Sequence, residues 1–274
     1  MAKRKKNPRS RALWLGLGAV AAGLAALALI CFSFGVGHTD RPPETTATPT
    51  LPPPAANIYG PEDFVMEGDY LTCATGESVL GIDVSSHQGV IDWAQVSAAG
   101  VKFAMIRLGY RGYETGLLLE DEFALQNLAG AKAAGLQVGA YVFSQALDLE
   151  EARAEAEFAL ELLDGMALDM PLVFDWEYVS PTARTGNVDR RTVTDCALAF
   201  CQRVEEAGYD AMVYFNPHLA ETGLLLEELT EYPFWLAMYD APMTFPYRVR
   251  MWQYTQTGTV PGIEGSVDIN LYLP

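Results

Sequence analysis

From Leu80 to the C-terminus, short apolar runs of strand length alternate with amphipathic stretches of helix length, and that rhythm admits few architectures. The strand-like runs are Val79–Val84, Phe103–Leu108, Val138–Phe143, Pro171–Asp175, Ala211–Phe215 and Phe234–Met238. Helical patterns lie between them over Asp92–Ala99, Glu120–Ala134, Asp148–Leu163 and Asp189–Ala207. Asp148 offers an N-cap to the third helix, whose Ala152, Ala156, Ala159 and Leu163 fall on one face. Gly100, Gly135 and Gly208 stand where helix C-caps are needed, each shortly before the next strand. Strand, crossover helix and strand imply parallel pairing. The count is closer to a barrel than to an open sheet, although it falls short of eight clear βα units. The expected fold class is therefore α/β, a (β/α)8-like barrel over residues 80–274 with an irregular last third.

Ahead of that domain the composition changes three times. Six of the 18 Lys and Arg lie within the first eleven residues, and no acid precedes Asp40, so residues 1–12 read as a basic tail. Leu13–Val36 is an uncharged run of 24 residues. As a helix it would span about 36 Å, against a hydrocarbon core of about 30 Å. One transmembrane helix is expected there, its basic flank keeping the N-terminus cytoplasmic and the rest of the chain extracytoplasmic. A cleaved signal peptide is the competing reading, but a secretory apolar core runs only about 7–15 residues. Residues 37–56 are rich in Pro and Thr and suit an extended tether of some 60 Å at ~3.1 Å per residue. Residues 57–79 form a short extension. In it Phe64-Val65-Met66 and Tyr70-Leu71-Thr72 flank Glu67-Gly68-Asp69 in a hairpin pattern, expected to pack on the barrel domain.

The formal charge of -17 conceals a stronger imbalance: from Leu13 on, 12 basic groups face 35 acidic ones. Such a body excludes nucleic acid as a partner, because phosphates need a basic surface. Cys31 falls in the apolar run, leaving Cys73, Cys196 and Cys201, an odd number that argues against a disulfide framework. Three scattered histidines, His38, His87 and His218, and no CxxC give no metal-ligand spacing, so no metal or cofactor is expected.

In parallel α/β folds, functional groups gather at the carboxyl ends of strands. Asp83 ends the first strand, Asp175 and Glu177 end the fourth, and Asp268 lies near the last. Residues two apart on a strand share a face, so Asp175 and Glu177 point together. Two close carboxylates repel, which holds a proton on one of them. Glycoside hydrolysis needs an acid and a carboxylate in such a pair. A lone Asp-x-Glu is common, and strand-end acids often only cap helices. The surroundings add weight, since Tyr141, Tyr178, Tyr214, Trp235, Tyr239, Trp252 and Tyr254 offer rings for stacking on sugars. Ser85, Ser86 and His87 are too close in sequence to form a nucleophile with a facing base.

The segment Gly81–Trp93, GIDVSSHQGVIDW, resembles the opening signature of glycoside hydrolase family 25, the lysozyme or N-acetylmuramidase family. The resemblance continues through VKFAMIR (Val101–Arg107), AAGLQVGAYVFS (Ala133–Ser144), Asp175-Trp176-Glu177, FWLAMY (Phe234–Tyr239), MWQY (Met251–Tyr254) and VDIN (Val267–Asn270). It implies an eight-stranded barrel that cleaves the β-1,4 bond between N-acetylmuramic acid and N-acetylglucosamine. Its partner would be peptidoglycan glycan strands, acted on by a monomeric catalytic domain. Glu177 matches the family's general acid, and Asp175 the companion that stabilises the reaction centre or orients the substrate's acetamido group. Asp83 and Asp268 match the remaining acids; Tyr141, Tyr214, Trp235, Tyr239 and Gln253 match the groove lining, with Arg107 organising charge nearby. The sequence departs from the family at Val142, where His is expected, and at Leu108-Gly109. A chitinase-like hydrolase and a non-catalytic glycan-binding module are the alternatives. For the enzyme, activity is expected to fall at high pH as Glu177 loses its proton and at low pH as Asp175 gains one.

Overall fold

The computed structural model describes residues 51–274. The basic tail, the expected membrane span Leu13–Val36 and residues 37–50 of the linker lie outside the described residues. Among the described residues no helix is long and apolar enough to cross a membrane.

The first strands of the described residues form a hairpin, β1 (Phe64–Glu67) and β2 (Tyr70–Cys73), turning at Gly68 with φ of 65°. There follow β3 (Val79–Val84), α1 (Trp93–Ala98), β4 (Phe103–Arg111), β5 (Leu118–Glu120), α2 (Ala124–Ala133) and β6 (Gln137–Ser144). After α3 (Leu149–Leu163) come β7 (Leu172–Trp176), α4 (Arg190–Glu206), β8 (Ala211–Phe215) and α5 (Pro217–Thr222). The chain closes with β9 (Phe234–Ala237), β10 (Met251–Gly258) and β11 (Val267–Tyr272).

In the larger sheet the order is β3-β11-β10-β9-β8-β7-β6-β4-β5, and β3 also pairs with β4. Eight strands thus close into a barrel, while β5 attaches to the end of β4 outside the ring. Seven barrel strands are parallel, and β11 runs antiparallel to both β10 and β3. The irregular last third is explained here: no helix separates β9 from β10, and β11 reverses direction. The helical pattern read over Glu120–Ala134 is corrected at its start. Glu120 belongs to β5, and the helix begins only at Ala124, because Asp121 gives its carboxylate to the main-chain N–H groups of Ser86 and Phe123 and to Arg107.

Strand alternation sorts the side chains. Phe174 and Trp176 turn outward into the core beneath the helices, whereas Phe103, Met105, Val173, Met212, Trp235 and Met251 fill the barrel. Gly81 is required by that filling, since a Cβ there would lie 2.2 Å from the Phe103 ring. The unusual Leu108-Gly109 pair is also accounted for: the β4–β6 register slips between Arg107 and Gly109, a bulge that bends β4 toward β5. Cys73, Cys196 and Cys201 are buried and unpaired, and burial pushes the Cys196 thiol up to about 12.

The N-terminal hairpin packs on β10. Phe64 meets Trp252 edge-on at 5.0 Å, and the Tyr254 hydroxyl accepts from Leu71 N at 3.2 Å. Residues 55–57 dock elsewhere, where Arg248 N donates to Ala55 O (2.7 Å) and Asn57 N to Pro246 O (2.9 Å). Arg248 precedes β10, so this seat lies at the mouth formed by the strands' N-terminal ends.

Candidate active site

The seven parallel strands share one C-terminal mouth, and β11 enters it with its first residues. There the alternation turns side chains from successive strands into a cleft of about 310 Å³. All ten residues singled out in the sequence line it: Asp83, Asp175, Glu177 and Asp268, with Tyr141, Tyr214, Trp235, Tyr239, Gln253 and Arg107. Tyr178, Trp252 and Tyr254 do not. Tyr178 is exposed on the loop after β7, while Trp252 and Tyr254 support the hairpin.

Asp83 and Asp268 stand directly opposite each other on β3 and β11. Like charges so placed repel, so the pair needs donors or a proton. Asp83 Oδ2 accepts from Gln253 Nε2 at 2.6 Å and from Asn270 Nδ2 at 2.7 Å. Each amide is held by its oxygen. Asn270 Oδ1 accepts from the Trp235 indole at 2.8 Å, and Gln253 Oε1 accepts from the hydroxyls of Tyr239 (2.6 Å) and Tyr214 (3.1 Å). With the oxygens committed, both amides turn N–H groups to Asp83 Oδ2, which favours its ionised form against burial and the facing Asp268. Trp235 lines the cleft but is 1 % exposed, and its indole N–H aims Asn270.

Burial pushes Asp83 up to about 6, with the two amides opposing the rise. Burial and the facing charge of Asp83 push Asp268 up to about 8. Glu177 is raised by burial and by the charge of Asp83. Asp175 is raised most plainly: it is buried beside Glu177 and Asp83, and its Oδ1 has no hydrogen-bond partner. Burial and neighbouring charge thus favour the protonated form of Asp175, while the two amide N–H groups on Asp83 favour its ionised form.

Arg107 Nε donates to buried Asp121 at 2.9 Å and Nη2 to Ser86 Oγ at 3.2 Å, so its main partner is outside the quartet. Its charge still reaches Asp175 and partly offsets the rise there. Asn270 and Asp121 escaped the sequence reading. Asn270 shares a strand face with Asp268 two residues earlier, the one available signal; Asp121 had none, because its role depends on a contact 14 residues back in the chain.

A second hollow of about 560 Å³ adjoins the cleft at His87, Arg107 and Phe143 and continues past Tyr110 and Tyr113. The site is thus open at one end.

Known proteins resemble this chain in sequence and in fold. The sequence profile described as glycosyl hydrolases family 25 matches residues 82–263. Lysozyme M1 of Streptomyces globisporus is 27% identical over 257 residues, covering 84% of each chain. The autolytic lysozyme of Clostridium acetobutylicum is 27% identical over 191 residues, 69% of this chain and 54% of its own. Among solved structures, the modular autolysin LytC of Streptococcus pneumoniae, in complex with a synthetic peptidoglycan ligand, matches with a TM-score of 0.63 and 25% identity. That match covers 77% of this chain and 58% of LytC, so this chain spans little more than half of the autolysin. The bacterial lysozyme of Streptomyces coelicolor matches with a TM-score of 0.56 and 26% identity, over 72% of this chain and 92% of that one.

Proposed function

The chain belongs to glycosyl hydrolases family 25, and from that premise we propose that it is a membrane-anchored muramidase cleaving the β-1,4 bond between N-acetylmuramic acid and N-acetylglucosamine in peptidoglycan. The observation that carries the chemistry is the convergence of Asp83, Asp175, Glu177 and Asp268 on one cleft at the barrel's C-terminal mouth. Four acids with raised proton affinity cannot all ionise at neutral pH, so the cleft retains a proton for the leaving oxygen.

Glu177 is the donor. It is the acid of the Asp-x-Glu pair that lines the cleft just beyond the end of β7. Asp175 has a buried oxygen with no partner, a place for the N–H of the substrate's acetamido group. Once that N–H is bound, the ionised form of Asp175 is favoured, and the shared proton moves to Glu177 where it is needed. Asp83, clamped by two amide N–H groups, supplies fixed negative charge toward the cation that develops at the sugar. Tyr141 and Tyr214 form walls against which sugar rings pack.

Anchoring follows from the sequence: the apolar run Leu13–Val36 with its basic flank keeps the enzyme on the outer side of the membrane, facing the wall. Confinement there raises its effective concentration at the innermost glycan.

The test is digestion of purified peptidoglycan by the full-length chain beside Glu177→Gln, with new reducing ends identified by mass spectrometry. Muramic-acid ends are expected from the wild type, and a rate lower by about 10²–10⁴ from Glu177→Gln. Glucosamine ends would assign the chain to another N-acetylhexosaminidase specificity. Glycan binding with no cleavage would make it a recognition module.

A further inference from the structure

The ladder of β7 stops just short of Glu177. Its last pairings are Ser144 with Trp176 on one side and Asp175 with Tyr214 on the other. The peptide of Glu177 is therefore outside the sheet, at the start of a loop that runs to α4. A group that must deliver a proton has to be held within a fraction of an ångström, and strand pairing does not do this here.

The segment after β6 does. Gln145 is fully buried, and its Nε2 donates to the carbonyl of Glu177 at 2.6 Å and to that of Ser144 at 2.9 Å. Its Oε1 accepts from the Thr185 hydroxyl at 2.7 Å, and its main-chain oxygen accepts from Arg184 Nη1 at 2.9 Å. Arg184 is itself fixed by a two-pronged pair with Glu151 at 2.6 and 2.9 Å. One residue on, the carbonyl of Ala146 accepts from the Trp176 indole at 3.1 Å. Residues 145 and 146 thus brace β7 at Trp176 and at Glu177, from one side of the barrel wall. An apolar side chain would fill the space of Gln145 with less desolvation, so a buried amide with every polar group committed points to a placement role.

We propose that Gln145 is a positioning residue for Glu177. Its amide, oriented by Thr185 and by the Arg184–Glu151 pair, fixes the Glu177 main chain and through it the proton-donating carboxyl. This rests on the reading of Glu177 as the donor.

Two consequences separate this from packing. Releasing the Glu177 peptide misplaces the carboxyl while leaving the groove lining in place, so kcat falls and KM does not. It also moves the carboxyl away from the burial and the Asp83 charge that raise its proton affinity, so Glu177 titrates at lower pH.

The experiment uses the full-length chain carrying Gln145→Met, which keeps the volume without the amide, and Thr185→Val, which removes only the hydroxyl. Glu177→Gln is the control, and near-ultraviolet circular dichroism reports folding. The expected result for Gln145→Met is a kcat lower by about tenfold or more, with KM within about twofold. Thr185→Val lowers kcat less, again at constant KM. Carboxyl ¹³C NMR shows the Glu177 titration displaced to lower pH in Gln145→Met. Folded variants with unchanged kcat and unchanged titration overturn the proposal. If Gln145→Met fails to fold, Thr185→Val decides alone, and an unchanged kcat there overturns it. An active Glu177→Gln removes the reading of the donor, and this inference with it. An inactive Glu177→Gln beside two unimpaired variants removes the inference only.

Discussion

Two acids face each other across β3 and β11, and a third and fourth share the end of β7, so the barrel's mouth concentrates negative charge that folding must tolerate. Each raised carboxyl binds its proton more tightly folded than unfolded, so folding takes up protons between about pH 4 and pH 8. Stability from these groups is greatest at the acid end of that window and is lost as pH rises through it. Thermal midpoints at pH 5 are therefore expected to exceed those at pH 8. Asp268→Asn is expected to narrow the gap and raise the pH 8 midpoint by roughly 2–4 °C, which scanning calorimetry would measure. Asn270→Leu acts in the opposite sense. It strands the Trp235 indole and removes one of the two donors to Asp83, costing about 1–3 kcal/mol. Asp83 then ionises at higher pH, so the acid limb of the activity profile is expected to shift upward; an unmoved limb would mean that Asp83 does not control it. The four acids were legible because strand-end position and the two-residue spacing are patterns in one dimension. Asn270, Asp121 and Gln145 were not, since a neutral amide or a capping acid acquires its role only from partners far along the chain.

Among the elements, the strands that carry Asp83 and Asp175 were legible because burial makes them nearly continuous apolar runs. The last part of the barrel was harder. The outer half of β10, Thr255 to Gly258, is polar and partly exposed, and β11 returns without a helix to announce it. The motif glycine of β3 has a structural reason that the sequence alone does not reveal. Gly81→Ala would place a methyl group on the Phe103 ring inside a filled barrel, and overpacking of this kind costs about 1–3 kcal/mol. The measurement is chemical denaturation of Gly81→Ala alone and with Phe103→Leu. Partial recovery in the double variant is expected; additive losses would show that the collision is relieved elsewhere.

For the molecule as a whole, anchoring predicts that the full-length chain sediments with membranes and resists alkaline extraction. Proteolysis between residues 37 and 54 should release a soluble, active fragment. Release by alkali alone would argue against a spanning helix. The seat of Ala55 and Asn57 beside Pro246 and Arg248 gives this tethering a direction. Residues 55–57 meet the barrel at the mouth opposite the carboxylates. In the proposed tethered enzyme, the point of attachment and the cutting cleft would lie at opposite ends of the barrel. With the anchor and linker proposed from the sequence, the cleft would be turned away from the membrane, toward wall strands within a linker's reach of some 60 Å.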